Sequence, residues 1–68
     1  MKIRYDPDVD AMYIKLIDAE VATTTKINKY TIIDFDKEGN VIGVELLFVK
    51  ENNPTLLKEF QKEHLVSA

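Results

Sequence analysis

Up to residue 49 the chain alternates apolar and polar positions in short runs, each broken after a few residues by Asp, Asn, Pro or Gly. That is the punctuation of strands and turns. Ile3 and Tyr5 alternate with Lys2, Arg4 and Asp6, which predicts a first strand with one apolar and one polar face, ended by Asp6-Pro7-Asp8. The run from Ala11 to Asp18 places Met12, Ile14 and Leu16 on one face and Ala11, Tyr13, Lys15 and Ile17 on the other. From Val21 to Ile27 three successive threonines favour extended backbone but bring little apolar surface, so this run reads as an edge strand. Tyr30 to Asp36 and Val41 to Val49 predict a hairpin closed by Asp36-Lys37-Glu38-Gly39-Asn40, with Gly39 free to take the positive φ such a loop demands. Two registers stay open. Pairing Ile33 with Ile42 gathers Ile33, Phe35, Ile42, Val44, Leu46 and Phe48 on one face, whereas a bulge at Gly39 shifts the parity by one.

A second apolar set that includes Tyr13, Ile17, Val41 and Leu47 requires some cover on the other face of the sheet, and one helix can cover only one face. The pattern changes period after Lys50-Glu51-Asn52-Asn53, a short linker. Asn53-Pro54 is a helix start, Asn being a favoured N-cap and Pro a favoured first residue. Leu56, Leu57, Phe60 and His64 then recur at helical spacing among Lys58, Glu59, Lys62 and Glu63. The predicted architecture is α+β and mostly β: an antiparallel β-meander of about five strands over residues 1–50, with the linker and a short C-terminal helix at 51–68 belonging to the same single domain. A helix of about 12 residues is marginal alone in water, so its apolar stripe has to dock on something.

Length makes that docking matter. A chain of 68 residues buries only about 60% of the surface its unfolded form exposes, and domains of this size usually need reinforcement. With no cysteine, disulfides and thiolate zinc sites are excluded, which leaves self-association, most simply a homodimer. The net charge of −3 opposes attraction to phosphate backbones, so nucleic acid is not an expected ligand. No apolar stretch approaches the length of a signal peptide core or a membrane span, and the sequence reads as that of a cytoplasmic protein.

Candidate chemistry is sparse. Asp6, Asp8 and Asp10 share the spacing of a calcium loop but lack its glycine and its final glutamate; Asp34, Asp36, Glu38 and Glu45 have both, with Gly39 in the sixth place. Both flanks of that second segment read as strands rather than the helices an EF-hand needs, so acids that form a hairpin turn are the plainer reading. Asp34 and Glu45 also stand where two carboxylates can meet across a hairpin, an arrangement acid catalysts use when burial raises one pKa. His64 has no nucleophile on a recognisable motif to serve, Ser67 lying near the end of the chain. Gly39 and Gly43 fit a turn and a close approach to the backbone, not a phosphate-binding loop. No enzyme activity and no cofactor are expected.

The order of residues is informative beyond its periodicity: Lys2-Ile3-Arg4-Tyr5-Asp6-Pro7, then Asp10-Ala11-Met12-Tyr13-Ile14-Lys15-Leu16, then Ile33-Asp34-Phe35-Asp36 with Gly39, then Gly43-Val44-Glu45-Leu46. Over residues 2–49 the chain resembles the domain of unknown function 2283 family of small prokaryotic proteins. The resemblance implies a compact β-meander, no assigned catalytic residues and, from the toxin-like neighbours of some similar proteins, an antitoxin-like role. Two functional expectations follow. One is a dimeric interaction module that binds a small protein partner through Leu56, Leu57, Phe60 and His64; the other is a small-ligand or calcium-binding domain that uses Asp34, Asp36, Glu38 and Glu45.

Overall fold

The computed structural model describes residues 1–65, and side chains as far as Glu63. Five strands form one antiparallel sheet: β1 (Lys2–Asp6), β2 (Ala11–Lys15), β3 (Thr23–Asn28), β4 (Thr31–Phe35) and β5 (Val41–Leu47). Two helices follow, α1 (Val49–Asn52) and α2 (Pro54–Leu65). The mostly-β class, the antiparallel strands and the short C-terminal helix are those the sequence predicts. The strand order, β1-β2-β5-β4-β3, departs from an uninterrupted meander. A β1-β2 hairpin adds to the free side of a β3-β4-β5 meander. Residues 16–22 make this possible by running along the end of the sheet: the amides of Leu16 and Ile17 donate to the Ile42 carbonyl at 2.9 and 3.2 Å, and that of Ala22 to Phe35 at 2.8 Å. β3 is thereby carried past β5 and β4 to the outer edge, where all six of its residues are exposed.

The register settles which residues share a face. Tyr5 and Leu46 both pair with Met12, and Ile3 and Val44 both pair with Ile14, while Ile33 pairs with Val44 rather than Ile42. A bulge between Asp34 and Phe35 sets Phe35 opposite Val41. One face therefore carries Ile3, Tyr5, Met12, Ile14, Val44, Leu46 and Ile33, and the other carries Arg4, Tyr13, Lys15, Gly43, Glu45 and Asp34. Phe48 does not extend the apolar row. The strand stops at Leu47, Phe48 turns back with φ 52°, and it remains exposed against Tyr30 with ring centroids 5.9 Å apart. Val49 enters the core in its place, as the first residue of α1.

Met12, Val49 and Leu57 form the centre of that core, with Ile3, Tyr5, Ile14, Leu46, Leu56 and Phe60 packed around them. Each fully buried aliphatic side chain here contributes about 1.5–3 kcal/mol of transfer free energy. Ile42 is buried outside this cluster, at the end of β5 where the 16–22 connection passes. Pro54 opens α2 as expected, and the Asn53 carbonyl accepts the Leu57 amide at 3.1 Å.

Asp10 fixes α1 to the sheet. It takes a left-handed backbone, φ 54°, a conformation Asp tolerates better than most residues. Its carbonyl accepts the Val49 amide at 3.2 Å, its carboxylate accepts the Lys50 amide at 3.2 and 3.3 Å, and the Tyr5 hydroxyl donates to it at 2.6 Å. The third aspartate of Asp6-x-Asp8-x-Asp10 is thus a latch between the first hairpin and α1, while Asp6 closes the turn by accepting the Asp8 amide at 3.0 Å.

The Tyr5–Asp10 hydrogen bond, helped by desolvation and the neighbouring negative charges, pushes the Tyr5 pKa up to about 12 from 10.0. A raised folded-state pKa gives stability that is complete below the unfolded value and disappears as pH climbs through the folded one. We expect the urea midpoint of the native chain to fall between about pH 10 and 12, and to fall less steeply in Tyr5→Phe. Equal slopes for the two proteins would remove Tyr5 from the account.

Candidate functional site

Two surfaces stand out: a polar network on the sheet face away from α2, and an apolar region on the near face that α2 leaves uncovered. The network centres on Asp34 of β4. Its Oδ2 accepts the Tyr13 hydroxyl at 2.8 Å and its Oδ1 accepts the Thr24 hydroxyl at 2.8 Å. Tyr13 belongs to β2, so its ring must cross β5 to arrive there, and it does so over Gly43. Any Cβ on Gly43 would overlap the Tyr13 hydroxyl and lie 2.8 Å from its Cζ. The absent side chain of Gly43 is therefore what lets the phenol pass, which is the close approach anticipated at that position.

Arg4 and Glu45 flank Tyr13 as its direct cross-strand neighbours. The Asp34 hydrogen bond is the main cause that raises the Tyr13 pKa, desolvation and the Asp34 and Glu45 charges adding to it and Arg4 opposing it. The phenol stays protonated and committed to Asp34 at neutral pH. Beside it an open depression of about 480 Å³ is bounded by Arg4, Asp6, Tyr13 and Glu45 among others. Tyr13 is the residue of this network that periodicity alone could not single out, since alternation assigned it to a second apolar set. Its phenol, a hydrogen-bond donor within an otherwise apolar set, was the available signal.

Of the four acids considered for calcium, Asp34 and Glu45 lie on this open face, with Asp34 opposite Gly43 and Glu45 opposite Ile32, so they are diagonal neighbours rather than a facing pair. Asp36 sits in the hairpin loop and spends its carboxylate there. Its Oδ1 accepts the amides of Glu38 and Asn40, both at 2.9 Å, and its Oδ2 the Asn40 side-chain amide at 3.1 Å. Those bonds, the Asn40 backbone first, hold the Asp36 carboxyl below the usual range. Glu38 contributes its backbone to the turn, where Gly39 takes φ 86°. Among the described residues no group of three or more His, Cys, Asp or Glu is placed to hold a metal ion.

The helix residues considered for partner binding are turned inward. Leu57 is 6% exposed and Leu56 and Phe60 pack on the same core, Phe60 edge-on to Tyr5 with centroids 6.4 Å apart. The stripe on α2 is occupied by the chain's own sheet, because it packs on the core that Met12 and Ile14 share. The His64 side chain lies outside the described residues, as does Ser67.

What α2 leaves open is the β3-β4 half of the same face. Ile33 and Phe35 there, and Val44 beside them on β5, are half-buried and lie outside the cluster under α2, and Thr23 and Thr25, opposite Phe35 and Ile33, are exposed. Leu16, Ile17 and Val21 of the crossing connection and Ile27 of β3 are exposed as well.

A five-stranded antiparallel sheet with one helical layer on half of one face defines a small α+β domain whose sheet is incompletely covered. A family model described as "Protein of unknown function (DUF2283)" matches residues 2–50, and the chain belongs to that family. Tyr13, Asp34, Gly43 and Glu45, on which the resemblance partly rested, are the residues gathered on the polar face. Neither a curated protein nor a solved structure matches the chain. Among the described residues no helix is long and apolar enough to cross a membrane.

Proposed function

We propose that this protein works by association rather than catalysis: a small cytoplasmic interaction module that forms a homodimer through the β3-β4 half of its sheet. The observation that carries this reading is the uneven cover of the apolar face. α2 packs on β1, β2 and Leu46, whereas Ile33, Phe35 and Val44 lie outside that cluster, Ile33 and Phe35 next to the exposed edge strand and Val44 between Ile14 and Ile33. An edge with free backbone groups and a single charged residue, Lys26, is poorly protected against pairing. A second copy paired along it satisfies those groups and extends the sheet beside the open apolar row. Association also supplies the reinforcement a chain of 68 residues without cysteine lacks.

The sharper form of the reading is antitoxin-like, the dimer binding a small basic protein. Its support is the net charge of −3 together with this uncovered surface. The same charge makes protein a better-suited partner than nucleic acid.

Thr25→Lys tests the dimer without touching the core, since Thr25 is exposed and faces the same side as Ile33. A lysine on each copy would face its like across the two-fold and desolvate on docking. We expect the dimer to weaken by about tenfold or more, read as a fall in mass by light scattering, with far-UV circular dichroism unchanged. Lys62→Glu, on the exposed side of α2, should leave the mass as it was. Equal masses for native chain and Thr25→Lys would contradict this interface.

A further inference from the structure

The polar face has a second feature, away from the proposed dimer surface. Lys2 and Lys15 are direct cross-strand partners in the β1-β2 hairpin, an arrangement that puts like charges opposite each other. Arg4 stands two positions along on the same face, opposite Tyr13. These four residues line one open depression of about 260 Å³. Three cations thus converge in a chain whose net charge is −3. Their placement is costly for folding unless an anion lies between them.

Part of that role is filled by Asp18, whose carboxylate approaches the Lys15 ammonium to 3.0 Å. Hydrogen bonding to Lys15 first, then its charge and that of Lys2, lowers the Asp18 pKa. Asp18 is nonetheless 95% exposed, on the connection that leaves the sheet. A single negative charge held so loosely pairs with Lys15, acts on Lys2 through its charge alone, and leaves the three cations with capacity to spare. The Tyr13 hydroxyl is already committed to Asp34, so it walls the depression rather than donating into it.

We propose that the depression formed by Lys2, Arg4, Tyr13 and Lys15 is a binding site for a phosphate group, free or carried on a small organic ester. A phosphate dianion matches the convergence better than a carboxylate. Arg4 offers a planar fork for two of its oxygens, and the lysines serve as point charges on the remainder. It displaces Asp18 from Lys15 rather than joining it. Three cations on an otherwise acidic chain suit a single phosphate, not the extended backbone of a nucleic acid.

The test is an amide chemical-shift titration of the native chain with inorganic phosphate and, separately, with phenyl phosphate, at constant ionic strength held with sodium chloride. Saturable shifts concentrated on residues 2–4, 13–15 and 18 are expected. Tighter binding of phenyl phosphate would assign the site to esters, and equal or weaker binding to the free ion. Lys2→Gln and Arg4→Gln should each weaken binding by about tenfold, the effect of losing one charge-assisted hydrogen bond. Asp18→Asn should instead strengthen it, because the competing carboxylate is gone, and Lys62→Gln should leave it unchanged. Shifts that never saturate, that spread over the lysines at large, or that persist undiminished in Arg4→Gln would overturn the proposal; so would weaker binding in Asp18→Asn.

Discussion

Met12→Ala should leave the chain close to unfolding at 25 °C. Met12 is fully buried and sits where β2, α1 and α2 meet, in contact with the cluster that includes Val49 and Leu57. Truncating a buried methionine to alanine costs about 2–5 kcal/mol, as lost transfer free energy and as a cavity the neighbours only partly refill. Whole-domain stability at about 0.05–0.15 kcal/mol per residue amounts to roughly 3–10 kcal/mol for a chain this short. The loss is therefore a large share of the total, and the melting midpoint should drop by more than about 10 °C. Met12→Leu keeps the volume and should cost less than about 1.5 kcal/mol. Urea denaturation of the three proteins at one concentration provides the comparison. A loss below about 1 kcal/mol for Met12→Ala would mean that this cluster is not the core.

The second large effect is a reversal of sign at Gly43. In the native background Gly43→Ala drives the new methyl into the Tyr13 phenol, so the ring must leave its place above β5 and the hydrogen bond to Asp34 breaks. Overpacking of this kind typically costs about 1–3 kcal/mol. With Tyr13→Ala already made, the obstruction is absent. There, the reduced freedom of the unfolded chain makes Gly43→Ala neutral or stabilising by about 0.4–1 kcal/mol. The double-mutant cycle should thus give a coupling of at least about 1 kcal/mol. Additive effects would show that Gly43 is needed for some reason other than the passage of Tyr13.

Much of this fold was legible because alternation records which face a residue occupies. Ile3 and Tyr5, Met12 and Ile14, and Val44 and Leu46 were assigned to common faces, and the threonine-rich run was placed at an edge, because those properties follow from a period of two and from composition. Alternation does not say which strand lies beside which. That β2 pairs with β5 depends on the course of residues 16–22 across the end of the sheet, set by amide bonds to the Ile42 and Phe35 carbonyls that any residue could make. The reversal at Phe48 was equally silent, since an aromatic residue in left-handed backbone carries no turn signature and Val49 takes its expected place in the core.

The candidate site was legible in its parts. Gly43 was marked for a close approach and Asp34 for its charge, but Tyr13 acquires meaning only when the register carries its hydroxyl over Gly43 to Asp34. The α2 stripe shows the converse case. Leu56, Leu57 and Phe60 have the spacing of a docking helix, and spacing is the same whether the surface it meets belongs to the chain or to a partner. The uncovered surface lies instead on the β3-β4 half, where the sequence offered little apolar character at the edge to draw attention to it.

In the proposed dimer a second copy completes this half-covered sheet. Sedimentation equilibrium of the native chain over a range of micromolar concentrations distinguishes that dimer from a monomer. A species of twice the 7.8 kDa chain mass, dissociating on dilution, is expected. A mass of 7.8 kDa at every concentration would contradict it, and would make the exposed β3 edge the surface of a self-sufficient monomer.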